Sequence, residues 1–208
     1  MEQSVNRIFV LLILWVAAVP AYAETPAILV FGDSISAGYG LARVERGWVA
    51  LLQAKVKSEG YGYEVVNASV SGETTAGGLA RLPRALAVHH PAVVILELGG
   101  NDGLRALPID QMRANLSRMS DLARGAGAKV LLLGMRMPPN YGPQYTEQFS
   151  AVYADLAREK HLPVVPFFLS SVALHPDLMQ ADDVHPDEAA QPLLLTAMWP
   201  ALEPLLKR

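Results

Sequence analysis

The chain has 208 residues, no cysteine and a formal net charge of −3. Without cysteine there is no disulfide framework and no thiolate chemistry. A mild negative charge with no basic run lacks the electrostatic footprint of a nucleic-acid-binding protein, so no nucleic-acid partner is expected.

The first element in the chain reads as a leader. Arg7 and the amino terminus give a weakly positive start, residues 8–19 (IFVLLILWVAAV) are apolar and uncharged, and Pro20 ends the run. Ala21-Tyr22-Ala23 then places small residues at the two positions a signal peptidase reads. A membrane anchor is the alternative, but a twelve-residue helix spans only about 18 Å, short of the ~30 Å hydrocarbon core. The expectation is a signal peptide over residues 1–23 cleaved after Ala23, a periplasmic location and no stable membrane span. Removing 23 of the 208 residues leaves 185, expected as one domain over 24–208 that is large enough to bury a core unaided.

Five short apolar runs predict strands: 27–31 (AILVF), 63–67 (YEVVN), 93–98 (VVILEL), 129–134 (KVLLLG) and 163–166 (PVVP). The first, third and fourth are apolar on both parities, as in parallel strands covered on both faces. Between them, residues 48–58, 75–89 and 109–124 carry apolar side chains at spacings of three and four, with Pro83 a local defect in the second. Residues 145–160 and 186–206 also read as helices. Alternation of this kind predicts a three-layer α/β/α domain with right-handed crossovers and a flavodoxin-like parallel sheet of order 2-1-3-4-5. In that order the loops after strands 1, 2 and 3 converge at the carboxyl end of the sheet, where ligands bind.

Those loops carry polar groups. After strand 1 comes Gly32-Asp33-Ser34-Ile35-Ser36. Ser34 there is a candidate nucleophile at the first turn of a helix, although Gly-Asp-Ser is also ordinary turn and capping chemistry. It is not the Gly-x-Ser-x-Gly elbow of α/β-hydrolases, because Ser36 stands where that motif has its second glycine. After strand 2, Gly72 can bring a bare N–H near a substrate oxygen, with Thr74 or Thr75 capping the next helix. After strand 3, Gly99-Gly100-Asn101-Asp102-Gly103 offers the Asn101 amide as an uncharged donor to an oxyanion. Asp102 is assigned to local hydrogen bonding.

A serine nucleophile needs a base, and the base needs an orienter. Of five histidines, His89, His90 and His161 end helices. His175 is followed by Pro-Asp like His185, but the residue three before it is Val172, which cannot orient an imidazole. Asp182 stands three before His185 and within a tight loop can reach its ring N–H. Asp183, two before, more naturally points away. Pro186 suits the first turn of a helix, which places His185 at the start of the last helix. No metal and no cofactor are expected. A phosphate-binding loop does not fit, because the turn after strand 1 lacks the Gly-x-x-x-x-Gly-Lys spacing.

Taken together, Gly32-Asp33-Ser34, Gly72, Gly99-Gly100-Asn101-Asp102 and Asp182-x-x-His185-Pro186 resemble the successive blocks of the SGNH (GDSL) hydrolases. Residues 31–39, 99–105 and 139–142 are similar to a narrower group, the exported bacterial multifunctional esterases described as thioesterase, lysophospholipase, arylesterase or protease. The superfamily usually has Leu after the serine; this chain has Ile35, a conservative departure. The resemblance implies Ser34 as nucleophile, His185 as base, Asp182 as its partner, and an oxyanion hole of the Ser34 and Gly72 N–H groups and the Asn101 side chain. It also implies that the loop over 103–107 moves when an acyl chain binds. The function then expected is an exported serine esterase hydrolysing acyl esters, thioesters or lysophospholipids through an acyl-enzyme, working as a monomer. Leu104, Leu107, Met137 and Pro138 are candidates for an acyl groove, with packing beneath loops the plainer alternative. A carbohydrate O-deacetylase of the same superfamily and a non-catalytic binding domain are the competing readings.

Overall fold

The computed structural model describes residues 25–207, so the expected leader over residues 1–23 lies outside the described residues. Five parallel strands form one sheet: β1 (Ala27–Gly32), β2 (Glu64–Asn67), β3 (Val93–Glu97), β4 (Lys129–Leu133) and β5 (Val164–Val165). Their order is β2-β1-β3-β4-β5, as the alternation of apolar runs predicts. Every residue of β1 and β3 is buried, which is why neither shows the alternation of a half-exposed strand.

The helices are α1 (Ser34–Ala37), α2 (Trp48–Ser58), α3 (Thr75–His89), α4 (Gly100–Leu104), α5 (Ile109–Gly125), α6 (Pro143–Lys160) and α7 (Gln191–Leu202). Helix α2 packs on α7, while α3 packs on α5 and α5 on α6, giving the two outer layers of the three-layer sandwich. The buried stripe of α5, Met112, Leu116, Met119 and Ala123, is the one its spacing predicts. Helix α3 runs through Pro83 and is capped by Thr74, whose hydroxyl accepts from the Gly77 N–H at 3.3 Å. His89 ends α3, and His90 and His161 take left-handed conformations at the C-caps of α3 and α6.

One boundary differs from expectation. The last helix begins at Gln191, five residues after Pro186. Pro186 instead bridges Met179 in antiparallel fashion, and the Asp187 N–H donates to the Leu178 carbonyl at 2.8 Å. Asp187 then accepts from the Ala190 N–H at 3.0 Å, and Pro192 is the proline of the helix's first turn. His185 therefore sits in a pinned loop rather than at a helix start.

Strand order fixes the place of the site. Because β1 lies between β2 and β3, the segments leaving these three strands meet at one edge of the molecule. The Val70 N–H donates to the Gly32 carbonyl at 3.0 Å, the Gly32 N–H to Ser69 Oγ at 3.1 Å and Asn67 Nδ2 to the Ser36 carbonyl at 2.8 Å. Among the described residues no helix is long and apolar enough to cross a membrane.

Candidate active site

Strand β1 delivers Ser34 directly into α1. Asp33 is the N-cap of that single turn, its Oδ1 accepting from the Ile35 N–H at 3.1 Å. Ser34 Oγ lies 2.8 Å from His185 Nε2, and His185 Nδ1 lies 2.6 Å from Asp182 Oδ2. The other oxygen of Asp182 accepts from the backbone N–H groups of Val184 and His185, each at 3.0 Å. These bonds, the His185 N–H first, hold the Asp182 carboxyl down at about 2. An ionised Asp182 can only accept, so Nδ1 carries the ring proton and Nε2 faces the Ser34 hydroxyl as an acceptor. Asp183 adopts a left-handed conformation (φ 56°) and lines the groove beside Ser34; it makes no hydrogen bond to His185.

The loop that carries His185 is braced by two residues that no sequence motif marks. Gln180 donates from its backbone N–H to the His185 carbonyl at 2.8 Å and from Nε2 to the carbonyls of Tyr39, at 2.8 Å, and Pro186, at 3.1 Å. The Tyr39 ring packs against the His185 ring with centroids 4.7 Å apart. Nothing in the spacing marks this role, since Tyr39 meets both His185 and Gln180 across more than a hundred residues of chain.

Gly72 and Asn101 open onto the same groove as Ser34. Gly72 has φ 77°, a conformation that suits glycine, and its carbonyl accepts from Arg105 Nη2 at 3.0 Å. Its N–H has no hydrogen-bond partner among the described residues, nor does that of Ser34. Asn101, near the start of α4, donates from Nδ2 to Asp33 Oδ2 at 3.1 Å. An amide nitrogen carries two hydrogens, so one remains for another acceptor. Asp102 is buried and does hydrogen-bond, but across the structure: it accepts from Thr75 N at 2.8 Å and Thr75 Oγ1 at 2.6 Å, fixing the start of α3.

Two buried carboxyls lie behind Ser34. Burial pushes Asp33 up to about 6, against the pull of the Ile35 N–H, the Asn101 amide and the nearby His185. Glu97, the last residue of β3, is wholly buried, and that burial, with the Asp33 charge adding, raises its carboxyl well above the usual carboxylate range. A glutamate inside the apolar run VVILEL is itself the signal for this residue, but the run around it marks only a strand.

The groove encloses about 740 Å³ and is mainly apolar. Leu104, Met137 and Pro138 line it with Phe167, Leu169 and Ala173, but Leu107 does not. The loop over 103–107 is held by Tyr145 Oη to the Gly103 carbonyl and Tyr141 Oη to the Leu104 carbonyl, each at 3.1 Å. Among the described residues no cluster of acidic or histidine side chains could hold a metal ion.

Residues 30–192 match the model of the GDSL-like lipase/acylhydrolase family. The chain is 56% identical over 184 residues to esterase TesA of Pseudomonas aeruginosa, covering 88% of this chain and 91% of that one. It is 44% identical over 184 residues to thioesterase 1/protease 1/lysophospholipase L1 of Escherichia coli K12, covering 88% and 86%. Of solved structures, the psychrotrophic esterase EstA from Pseudoalteromonas sp., inhibited by monoethylphosphonate, is similar with a TM-score of 0.81 and 39% identity, over 86% of this chain and 97% of that one.

Proposed function

The chain belongs to the GDSL-like lipase/acylhydrolase family, and from that premise we propose that it is a serine hydrolase of acyl esters and thioesters, with Ser34 as nucleophile. The observation that carries the reading is the unbroken hydrogen-bonded chain Asp182–His185–Ser34 at the mouth of an apolar groove. Ser34 attacks the acyl carbonyl as His185 takes its proton, and Asp182 steadies the imidazolium that forms. The tetrahedral oxyanion is stabilised by the N–H groups of Ser34 and Gly72 and by the second amide hydrogen of Asn101. His185 then protonates the leaving alcohol or thiol, and water repeats the sequence on the acyl-enzyme.

Leu104, Met137 and Pro138 are assigned to the acyl chain, with Phe167 and Leu169 extending the same wall. A groove of this size and character favours acyl chains over an acetyl group and so favours an esterase over an O-deacetylase. Activity on thioesters and lysophospholipids is the finer part of the reading, supported by the names of the relatives. The export signal over residues 1–23, cleavage after Ala23 and a periplasmic location belong to the same proposal. They are tested by the N-terminal mass of the protein recovered from the periplasm. All the groups invoked come from one chain, so the working unit is a monomer, which light scattering measures. Hydrolysis of p-nitrophenyl esters by the wild-type protein and by Ser34→Ala tests the reading: activity is lost in the variant, and retention of most of it overturns the mechanism.

A further inference from the structure

The mechanism above makes no use of Glu97, yet no other carboxyl among the described residues is buried so completely. Glu97 Oε2 accepts from Ser36 Oγ at 2.6 Å and from the Asp33 N–H at 3.3 Å. Those two groups flank Ser34 in sequence. A Cβ on Gly32 would stand 2.6 Å from the same oxygen, so the turn before the nucleophile closes directly onto this side chain. Asp33 in turn holds the Asn101 amide. One path of hydrogen bonds therefore runs from Glu97 to both flanks of Ser34 and, through Asp33, to Asn101.

We propose that Glu97 is a positioning residue for the reaction: its Oε2 fixes the turn that aims both the Ser34 hydroxyl and, through Asp33, the Asn101 amide. The inference rests on the assignment of Ser34 as nucleophile and goes beyond it.

The chemistry of the contacts says which property of Glu97 matters. Both bonds are accepted by one oxygen, while Oε1 is buried with no hydrogen-bond partner among the described residues. A charge with one bare oxygen in an apolar layer is strongly disfavoured, and burial raises this carboxyl accordingly. What the turn needs is an uncharged, doubly accepting oxygen at the end of β3. Glutamine supplies that oxygen in the same place; leucine fills the space and supplies none. A small displacement of a nucleophile lowers the rate of the chemical step without disturbing a distant binding groove.

The test compares Glu97→Gln, Glu97→Leu and Ser36→Ala in steady-state hydrolysis of a p-nitrophenyl ester. Rates are expressed per site labelled by a fluorophosphonate probe. Glu97→Leu is expected to lower kcat about 100-fold with KM within about twofold of wild type. Glu97→Gln is expected to stay within about threefold, and Ser36→Ala, which loses one of the two bonds, to fall about tenfold in kcat. A merely structural role moves the urea midpoint and leaves kcat per labelled site at the wild-type value in Glu97→Leu, and that result overturns the proposal. Equal losses in Glu97→Gln and Glu97→Leu also overturn it. If Glu97→Leu does not fold, Ser36→Ala carries the same test, and an unchanged kcat there is decisive against it. Failure of the wild-type protein to label at Ser34 removes the nucleophile assignment itself. Labelling with an undiminished kcat in these variants removes only the role of Glu97.

Discussion

Replacing Asp182 by asparagine changes one atom of the site and, through it, the position of the proton on His185. Asp182 Oδ1 accepts from two backbone N–H groups at 3.0 Å, so the side chain of an asparagine must place its oxygen there. Its NH2 group then takes the position of Oδ2, 2.6 Å from Nδ1, and donates to the ring. Nδ1 becomes an acceptor, and the ring proton moves to Nε2, 2.8 Å from Ser34 Oγ. Nε2 now presents a hydrogen where the proposed mechanism needs a lone pair. With a deeply buried aspartate this tautomer error lowers kcat by about 10⁴. The Asp182 side chain is 41% exposed, so water relieves part of the penalty. A loss of about 10³ in kcat follows, equivalent to about 4 kcal/mol in the barrier. The assay is kcat on p-nitrophenyl butyrate at pH 8, with the fraction of competent protein fixed by circular dichroism. Asp183→Asn serves as the contrast and loses less than tenfold. A loss of less than tenfold in Asp182→Asn, or a larger loss in Asp183→Asn, refutes the orienting role of Asp182.

Asn101→Ala removes one of the three proposed oxyanion donors and is expected to lower kcat by about 10²–10³ with little change in KM; a rise in KM at constant kcat contradicts that role. Along a series of p-nitrophenyl esters, kcat/KM rises about fourfold per added CH2, the worth of about 0.8 kcal/mol of buried apolar surface, until the groove is filled. A maximum at acetyl contradicts the acyl-groove reading and favours the O-deacetylase. The two raised carboxyls set a pH dependence of stability. Asp33 is raised to about 6 from 3.8, so its contribution is full in acid and is lost as pH rises through about 6. That loss is worth up to about 3 kcal/mol, and Glu97 acts with the same sign. Urea unfolding free energies at pH 5 and 7.5 therefore fall with pH in the wild type and fall less in Asp33→Ala; the same slope in both proteins refutes the assignment.

Much of this molecule is legible in the sequence because its central strands are buried on both faces. Apolar runs without alternation identify β1, β3 and β4 as interior parallel strands, and the first polar residues after β1 and β3 then have a known place in space. Ser34 and Asn101 become candidates in this way. His185 and Asp182 become candidates by their spacing, because an aspartate three residues before a histidine can reach its ring within a tight loop, and the structure brings the two to 2.6 Å. What the sequence conceals is tertiary. Pro186 reads as a helix start, since proline suits a first turn, but its partner is Met179 in a bridge that only the folded loop creates. Tyr39 reaches His185 from the far end of the chain, and Gln180, a neighbour of His185 in sequence, ties the same loop back to Tyr39. Leu107 shares a loop with Leu104 but does not line the groove, because apolar character alone does not say which way a loop side chain faces. Glu97 is masked by the strand around it.

The proposed mechanism stands on Ser34 forming the covalent intermediate. The most direct measurement is intact mass and peptide mapping after reaction with a fluorophosphonate. The expected result is a single adduct on Ser34, loss of hydrolysis in proportion to labelling, and no adduct in Ser34→Ala. An adduct on another residue, or hydrolysis that survives full labelling of Ser34, contradicts it.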